Sequence, residues 1–196
     1  MRAVIIDEFG PFERAEFREV PDPSPKAAEI LVEIHATAAN FVDLLLIAGL
    51  HQSRPALPFI PGKGPAGIVR AVGSDVTGFA IGDRVVAMCE PGGGYAELIA
   101  VPATQCHPMP SSLPFADAAS MALVYDTAWF ALCERGRYQT GETVLVLGAS
   151  GGVGLAAVQL AKTLGARVLA GVSNPEKFDL ANHAGADAII DLGRAD

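Results

Sequence analysis

The chain has 196 residues, 51% of them hydrophobic, and carries 22 Asp and Glu against 14 Lys and Arg, a formal net charge of −8. That length suits one large domain or two small ones, at about 100–200 residues per domain, and the acidic balance excludes nucleic acid as the main partner, because neutralising phosphates takes clustered Lys and Arg. Three scattered cysteines (Cys89, Cys106, Cys133), no basic-then-apolar leader in MRAVIIDEFG, and no apolar run of the about 18 residues a membrane helix needs together predict a soluble, cytoplasmic protein with no membrane partner.

From residue 1 to about 110, short β-rich segments (RAVII, EILVEIHATA, GIVRAVG, DRVVAM, YAELIAV) alternate with Gly and Pro punctuation, the spacing of a compact β barrel or sandwich. PDPSP (21–25), RPALPFIPGKGP (54–65) and EPGGG (90–94) read as turns or loops. A short helix is predicted over 40–49, ending at Gly49. Around SSLPFADAAS (111–120) the period becomes helical and continues through MALVYDTAWFALCERG, with Gly136 as its stop. This stretch is the predicted joint between two domains, 1–122 and 123–196. The pattern then runs strand 143–148, helix 152–164 stopped by Gly165, strand 167–172, helix from about 175 stopped by Gly185, and strand 188–191. Asn174 is placed to cap the second helix, with Pro175 as its first residue. The order β-α-β-α-β is half of a doubly wound parallel sheet, so the fold class is α/β, a β domain followed by a partial Rossmann domain.

Between the first strand and helix of that half lies GASGGVG (148–154). A dinucleotide fingerprint needs three small residues after a strand: one for the tight turn, one that lets the backbone approach pyrophosphate, one for close helix packing. Ala149, Gly151 and Gly154 fill those places, with Ser150, Gly152 and Val153 between them. The pyrophosphate would sit on the helix N-terminus, where unpaired N–H groups and the macrodipole favour an anion. An NAD site would place Asp or Glu about 20 residues beyond the fingerprint's start, on the ribose 2′-hydroxyl. Gly171, Val172 and Ser173 stand there instead. With no carboxylate to repel it, a 2′-phosphate could be held by Ser173 and the Lys177 ammonium, which favours NADPH. The plainer reading makes Ser173 a turn residue and Lys177 a solvated charge.

The ordered set NFVD (40–43), PFIPGKGPAGIVRAVG (58–73), VTGFAIGDRVVAM (76–88), GGYAELIAVPA (93–103), TAWFAL (127–132), VLVLGASGGVGLAAVQLAKTLGA (144–166) and SNPEK (173–177) resembles the zinc-free quinone oxidoreductase, zeta-crystallin-like, branch of the medium-chain dehydrogenase/reductase superfamily, over nearly the whole chain. The resemblance implies a GroES-like β-barrel catalytic domain joined to a Rossmann domain, with NADPH in the cleft and hydride delivered to a quinone or another α,β-unsaturated carbonyl. It also implies that Asn40 and Asp43 line the cleft and that Thr127 approaches the nicotinamide side. For the full-length protein the expectation is a homodimer.

Two departures matter. Relatives usually carry Glu where Gly64 stands, and commonly Tyr at the place of His51, whose imidazole could supply a proton or hydrogen bond in the cleft. The expected metal content is none: Lys63 occupies a ligand position of the zinc-dependent branch, a catalytic zinc site needs three protein ligands, and Cys106 and His107, adjacent on an extended segment, point to opposite faces. The sequence stops after the third strand of the presumed sheet, which makes TVLVLG an edge strand and suggests either an N-terminal portion of a longer polypeptide or a missing half supplied by another chain. Two other readings stay open: an enoyl-thioester reductase, and a non-catalytic nucleotide-binding or structural protein of the same fold.

Overall fold

The computed structural model describes residues 1–90 and 92–194. The chain divides into two compact units, Met1–Ala122 and Leu123–Asp196. Among the described residues no helix is long and apolar enough to cross a membrane.

The first unit is built on antiparallel strands. Strands β1 (Arg2–Ile5) and β2 (Glu16–Glu19) form a ribbon. Strands β3 (Glu29–Ala36), β4 (Ala66–Val72), β5 (Arg84–Ala87), β6 (Leu98–Pro102) and β7 (Cys106–Pro108) form a sheet of order β6-β3-β4-β5-β7. Period-two alternation turns Ile30 and Val32 of β3 inward to meet Val69, Val85, Ile99 and Val101 in one core. A register shift falls between Ile34 and Ala36 where β3 pairs with β4. At Gly67 a Cβ would stand 1.9 Å from the Glu33 carbonyl oxygen, so only glycine admits the strand there. Bridges Ala3–Ala96 and Ile6–Phe59 tie the ribbon to the sheet side.

Helix α1 (Phe41–Ile47) starts after Asn40 and is followed by Gly49 at φ +69°. Its inner face packs Leu46 and Ile47 on Ile6 and Phe59. The boundary between the units, after Ala122, falls within helix α2 (Phe115–Trp129). Phe115 is clamped between the His35 ring, 4.6 Å away by centroids, and the Arg84 guanidinium at 3.8 Å.

The second unit has a parallel sheet of order β10-β9-β8, from β8 (Thr143–Leu147), β9 (Arg167–Val172) and β10 (Ala188–Asp191). Helix α3 (Gly152–Thr163) is followed by Gly165 at φ +89°, and α4 (Phe178–His183) by Gly185 at φ +107°. Both pack on one face, where Val146, Val158, Ala161, Val168, Ala170 and Ala181 are buried together. Asp187 ties α3 to this sheet: its carboxylate takes the Lys162 ammonium at 2.5 Å and the Val168 N–H at 2.8 Å. The strand β8 lies at the sheet's edge, with Leu145 and Leu147 exposed.

Two expected elements differ: the helix expected from about 175 opens as a 3₁₀ turn, Pro175–Lys177, before α4 begins at Phe178, and the longer helix is interrupted. The helical stretch does not continue regularly to Gly136; α2 ends at Trp129 and Phe130–Arg135 winds as a π turn, with the Gly136 N–H reaching back five residues to the Ala131 carbonyl at 2.8 Å.

Candidate functional site

In the second unit the site begins where β8 stops. Gly148 takes φ +67°, which turns the chain at once, and the Ala149 N–H bonds the Gly171 carbonyl of β9 at 3.1 Å. The Gly151 N–H returns to the Gly148 carbonyl at 3.0 Å, and Gly151 is the N-cap of α3 with no side-chain cap. The first N–H groups of a helix have no intrahelical acceptor, here those of Gly152, Val153 and Gly154. No acidic residue stands in the first turn. At Gly154 a Cβ would lie 2.2 Å from the Gly148 carbonyl oxygen, so its absence lets the helix start beneath the strand's end; at Gly151 the nearest atom would be 3.4 Å away. The turn thus divides as the fingerprint requires, one glycine serving packing and the other leaving its outer side open. Gly151, Gly152 and Val153 are exposed while Ala149 is buried. Uncovered N–H groups, a helix dipole and open space form a fitting cradle for a pyrophosphate.

The end of β9 supplies the second part. Val172 is fully buried and Gly171 is enclosed by Leu147 and Leu192, so of the three residues at the ribose position only Ser173 reaches solvent. Asn174 then caps the turn Pro175–Lys177, its side-chain oxygen accepting the Glu176 N–H at 3.0 Å. Lys177 is exposed at the end of that turn, with Glu176 as its acidic neighbour.

In the first unit the structure joins Asn40 and Asp43. The Asp43 carboxylate, 2% exposed, accepts three hydrogen bonds: from the Asn40 N–H at 2.9 Å, the Tyr95 hydroxyl at 2.8 Å and the Gly62 N–H at 3.2 Å. Burial, and then the hydrogen bond to Asp43, push the Tyr95 phenol well above its ordinary range. With its oxygens so committed, Asp43 is a positioning residue that fixes Asn40 against the loop containing Gly62. The Asn40 side-chain amide donates one N–H to the Ala38 carbonyl at 3.3 Å, which leaves its second N–H for a ligand.

His51 follows the end of α1, and its Nδ1 lies 3.1 Å from the Ser53 carbonyl oxygen and 3.2 Å from the Ser53 N. Its ring is therefore held by its own turn through one nitrogen. Thr127, in the second unit, donates its hydroxyl to the Leu123 carbonyl of its own helix at 2.7 Å.

One group of the site escaped the sequence reading, and another has an unexpected setting. Tyr95 completes the Asp43 network from 52 residues away, and local spacing holds no signal of that. Lys63 is only 5% exposed and its ammonium pairs with the exposed Glu90 carboxylate. The sequence marked Lys63 only as standing at a ligand position of the zinc-dependent branch, and its burial and its partner come from the fold.

Residues 26–111 match the alcohol dehydrogenase GroES-like domain, and residues 152–196 match the zinc-binding dehydrogenase family. Quinone oxidoreductase of Rattus norvegicus is 40% identical over 187 residues, which are 94% of this chain and 57% of that protein. A quinone oxidoreductase-like protein 2 homolog of Nematostella vectensis is 43% identical over 168 residues, 85% of this chain and 46% of the relative. The chain thus spans about half the length of the curated relatives it matches. Among solved structures, Escherichia coli quinone oxidoreductase complexed with NADPH superposes with a TM-score of 0.92 at 33% identity, covering 100% of this chain and 60% of that one. With the β unit, the parallel-sheet unit and the glycine turn all in the matched order, the chain belongs to the medium-chain dehydrogenase/reductase superfamily, among relatives that are quinone oxidoreductases.

Proposed function

We propose that this chain forms the acceptor-binding unit and the first half of the cofactor-binding unit of an NADPH-dependent, zinc-independent oxidoreductase that reduces a quinone or another α,β-unsaturated carbonyl. The observation that carries this reading is the pairing of the open α3 cradle with the end of β9, where exposed Ser173 and Lys177 stand in place of a carboxylate. The E. coli relative was solved with NADPH, as was the quinone oxidoreductase of Thermus thermophilus, whose TM-score is 0.86.

When bound, NADPH supplies the hydride; the residues of the chain hold and orient. Backbone N–H groups at Gly152, Val153 and Gly154 neutralise the pyrophosphate, while the Ser173 hydroxyl and the Lys177 ammonium hold the 2′-phosphate. The Asn40 amide donates a hydrogen bond to the acceptor oxygen as negative charge grows there, and Asp43 keeps that amide in place through its backbone. The free nitrogen of His51, or solvent, provides the proton. Zinc independence is supported by Lys63, which stands where the zinc-dependent branch has a ligand and whose buried ammonium, paired with Glu90, has no lone pair to offer a metal.

Titration of the chain with NADPH and NADH, followed by nicotinamide fluorescence, tests the reading. NADPH is expected to bind more tightly, and Lys177→Ala to weaken NADPH about tenfold with little effect on NADH. Equal affinity for the two nucleotides overturns the phosphate assignment, and one equivalent of bound zinc overturns the metal-free site. Turnover of an enoyl thioester in preference to quinones would move the protein to the reductases of thioesters.

A further inference from the structure

The first unit contains a cavity of about 490 Å³ whose walls include Phe12, Phe41, Leu44 and Ile47 and whose polar groups include Asn40 and Tyr95. Phe12, Phe41 and Leu44 are 58%, 74% and 45% exposed. Large apolar side chains scattered singly over a surface are ordinary, whereas several gathered at one concavity mark a binding site. These come from two separate segments: Phe12 from the turn between β1 and β2, Phe41 and Leu44 three residues apart on one face of α1. The volume falls in the range of small-molecule pockets, about 300–1,000 Å³.

The polar end is narrow in what it accepts. The Asp43 carboxylate is engaged by Asn40, Gly62 and Tyr95, and the one O–H of Tyr95 is donated to Asp43. Among these groups the donor that remains is the second N–H of the Asn40 amide. Such a cavity selects an uncharged, largely hydrocarbon ligand with a carbonyl acceptor at its Asn40 end.

We propose that this cavity receives the hydrocarbon substituent of the electron acceptor, so that the substrate class is a conjugated carbonyl ring bearing an alkyl or prenyl side chain. The carbonyl meets the Asn40 amide, and the side chain lies between Phe12 and the Phe41–Leu44 face of α1. The assignment rests on the reductase reading above and on continuity, since Asn40 belongs both to that site and to the cavity.

The test is equilibrium binding, without cofactor, of 1,4-benzoquinones with side chains of increasing length to the 196-residue chain. The rings are fully substituted, so that no ring carbon adds a thiol. Affinity should rise roughly three- to fourfold per methylene, the fold-change for burying one such group. Phe12→Ser and Leu44→Ser should flatten that slope, while Phe17→Ser, an exposed position on β2 outside the cavity, should keep it. Affinity independent of chain length, a slope that survives both cavity variants, or n-alkanols binding as tightly as quinones of matched chain would each overturn the proposal. Failure here and failure of the reductase reading are separable. NADPH binding with a flat quinone series removes this inference alone, and a clear slope without NADPH binding removes the reductase reading alone.

Discussion

Asp43 concentrates more hydrogen bonding than any group of the candidate site. Two of its three donors, the Gly62 and Asn40 N–H groups, are backbone, so removing the carboxylate orphans main-chain donors that no rotamer change can redirect. Asp43→Ala should destabilise the chain by about 3–5 kcal/mol and Tyr95→Phe by about 1 kcal/mol, read as shifts in the urea midpoint. Similar losses for the two variants would show that the backbone donors find other partners. The cysteines give a second prediction at this scale. Burial raises both Cys89 and Cys106 from 9.0 to about 12, so the folded state disfavours their thiolates relative to the unfolded chain. Their contribution to stability is fully present below pH 9 and is lost between pH 9 and about 12, as the unfolded thiols ionise first. Native labelling at neutral pH should accordingly modify Cys133, which is partly exposed, and spare the other two. Rapid labelling of all three would contradict their burial.

At the scale of elements, Gly154 links sequence to site. A methyl there would meet the Gly148 carbonyl oxygen at 2.2 Å and the Ala149 Cα at 2.8 Å, both backbone atoms that cannot rotate away. Gly154→Ala should cost about 3 kcal/mol and weaken NADPH binding by pushing α3 off the end of β8, whereas Gly78→Ala, with no atom near its Cβ but a φ of +87°, should cost about 1 kcal/mol and leave binding intact. Thermal midpoints and NADPH titrations of the two variants check this. The elements that position the cradle were legible because their signals are local: β9 and β10 fall on residues 167–172 and 188–191, as periodicity predicts, and Gly165 and Gly185 stop α3 and α4. Two strands had no such signal. All four residues of β2 are exposed, so EFRE has no apolar alternation, and β7 is three residues ending in Pro108. The π turn at Phe130–Arg135 keeps a helical composition, and only its backbone bonding betrays it. In the site, the spacing of Asn40 and Asp43 suits a capping pair, but the Tyr95 and Gly62 contacts depend on how distant loops meet.

For the whole molecule, the decisive feature is that each unit owns a core. Ile30, Val32, Val69, Val85 and Val101 close the first, and Val146, Val158, Val168 and Val172 close the second. The groups proposed to hold the cofactor are not shared evenly between them: the cradle, Ser173 and Lys177 all belong to Leu123–Asp196. A ligand that binds only one folded unit stabilises that unit by mass action, by about 2.7 kcal/mol at a hundred times its dissociation constant. In so small a unit this raises the midpoint by on the order of 10 °C. Scanning calorimetry of the chain should therefore resolve two transitions, of which NADPH raises one and leaves the other in place. Gly154→Ala should lower the transition that NADPH raises, and Asp43→Ala the one it does not. A single transition that moves as a whole with NADPH would instead mean that the two cores melt as one cooperative structure, and the effects of those substitutions would then fall on the same midpoint.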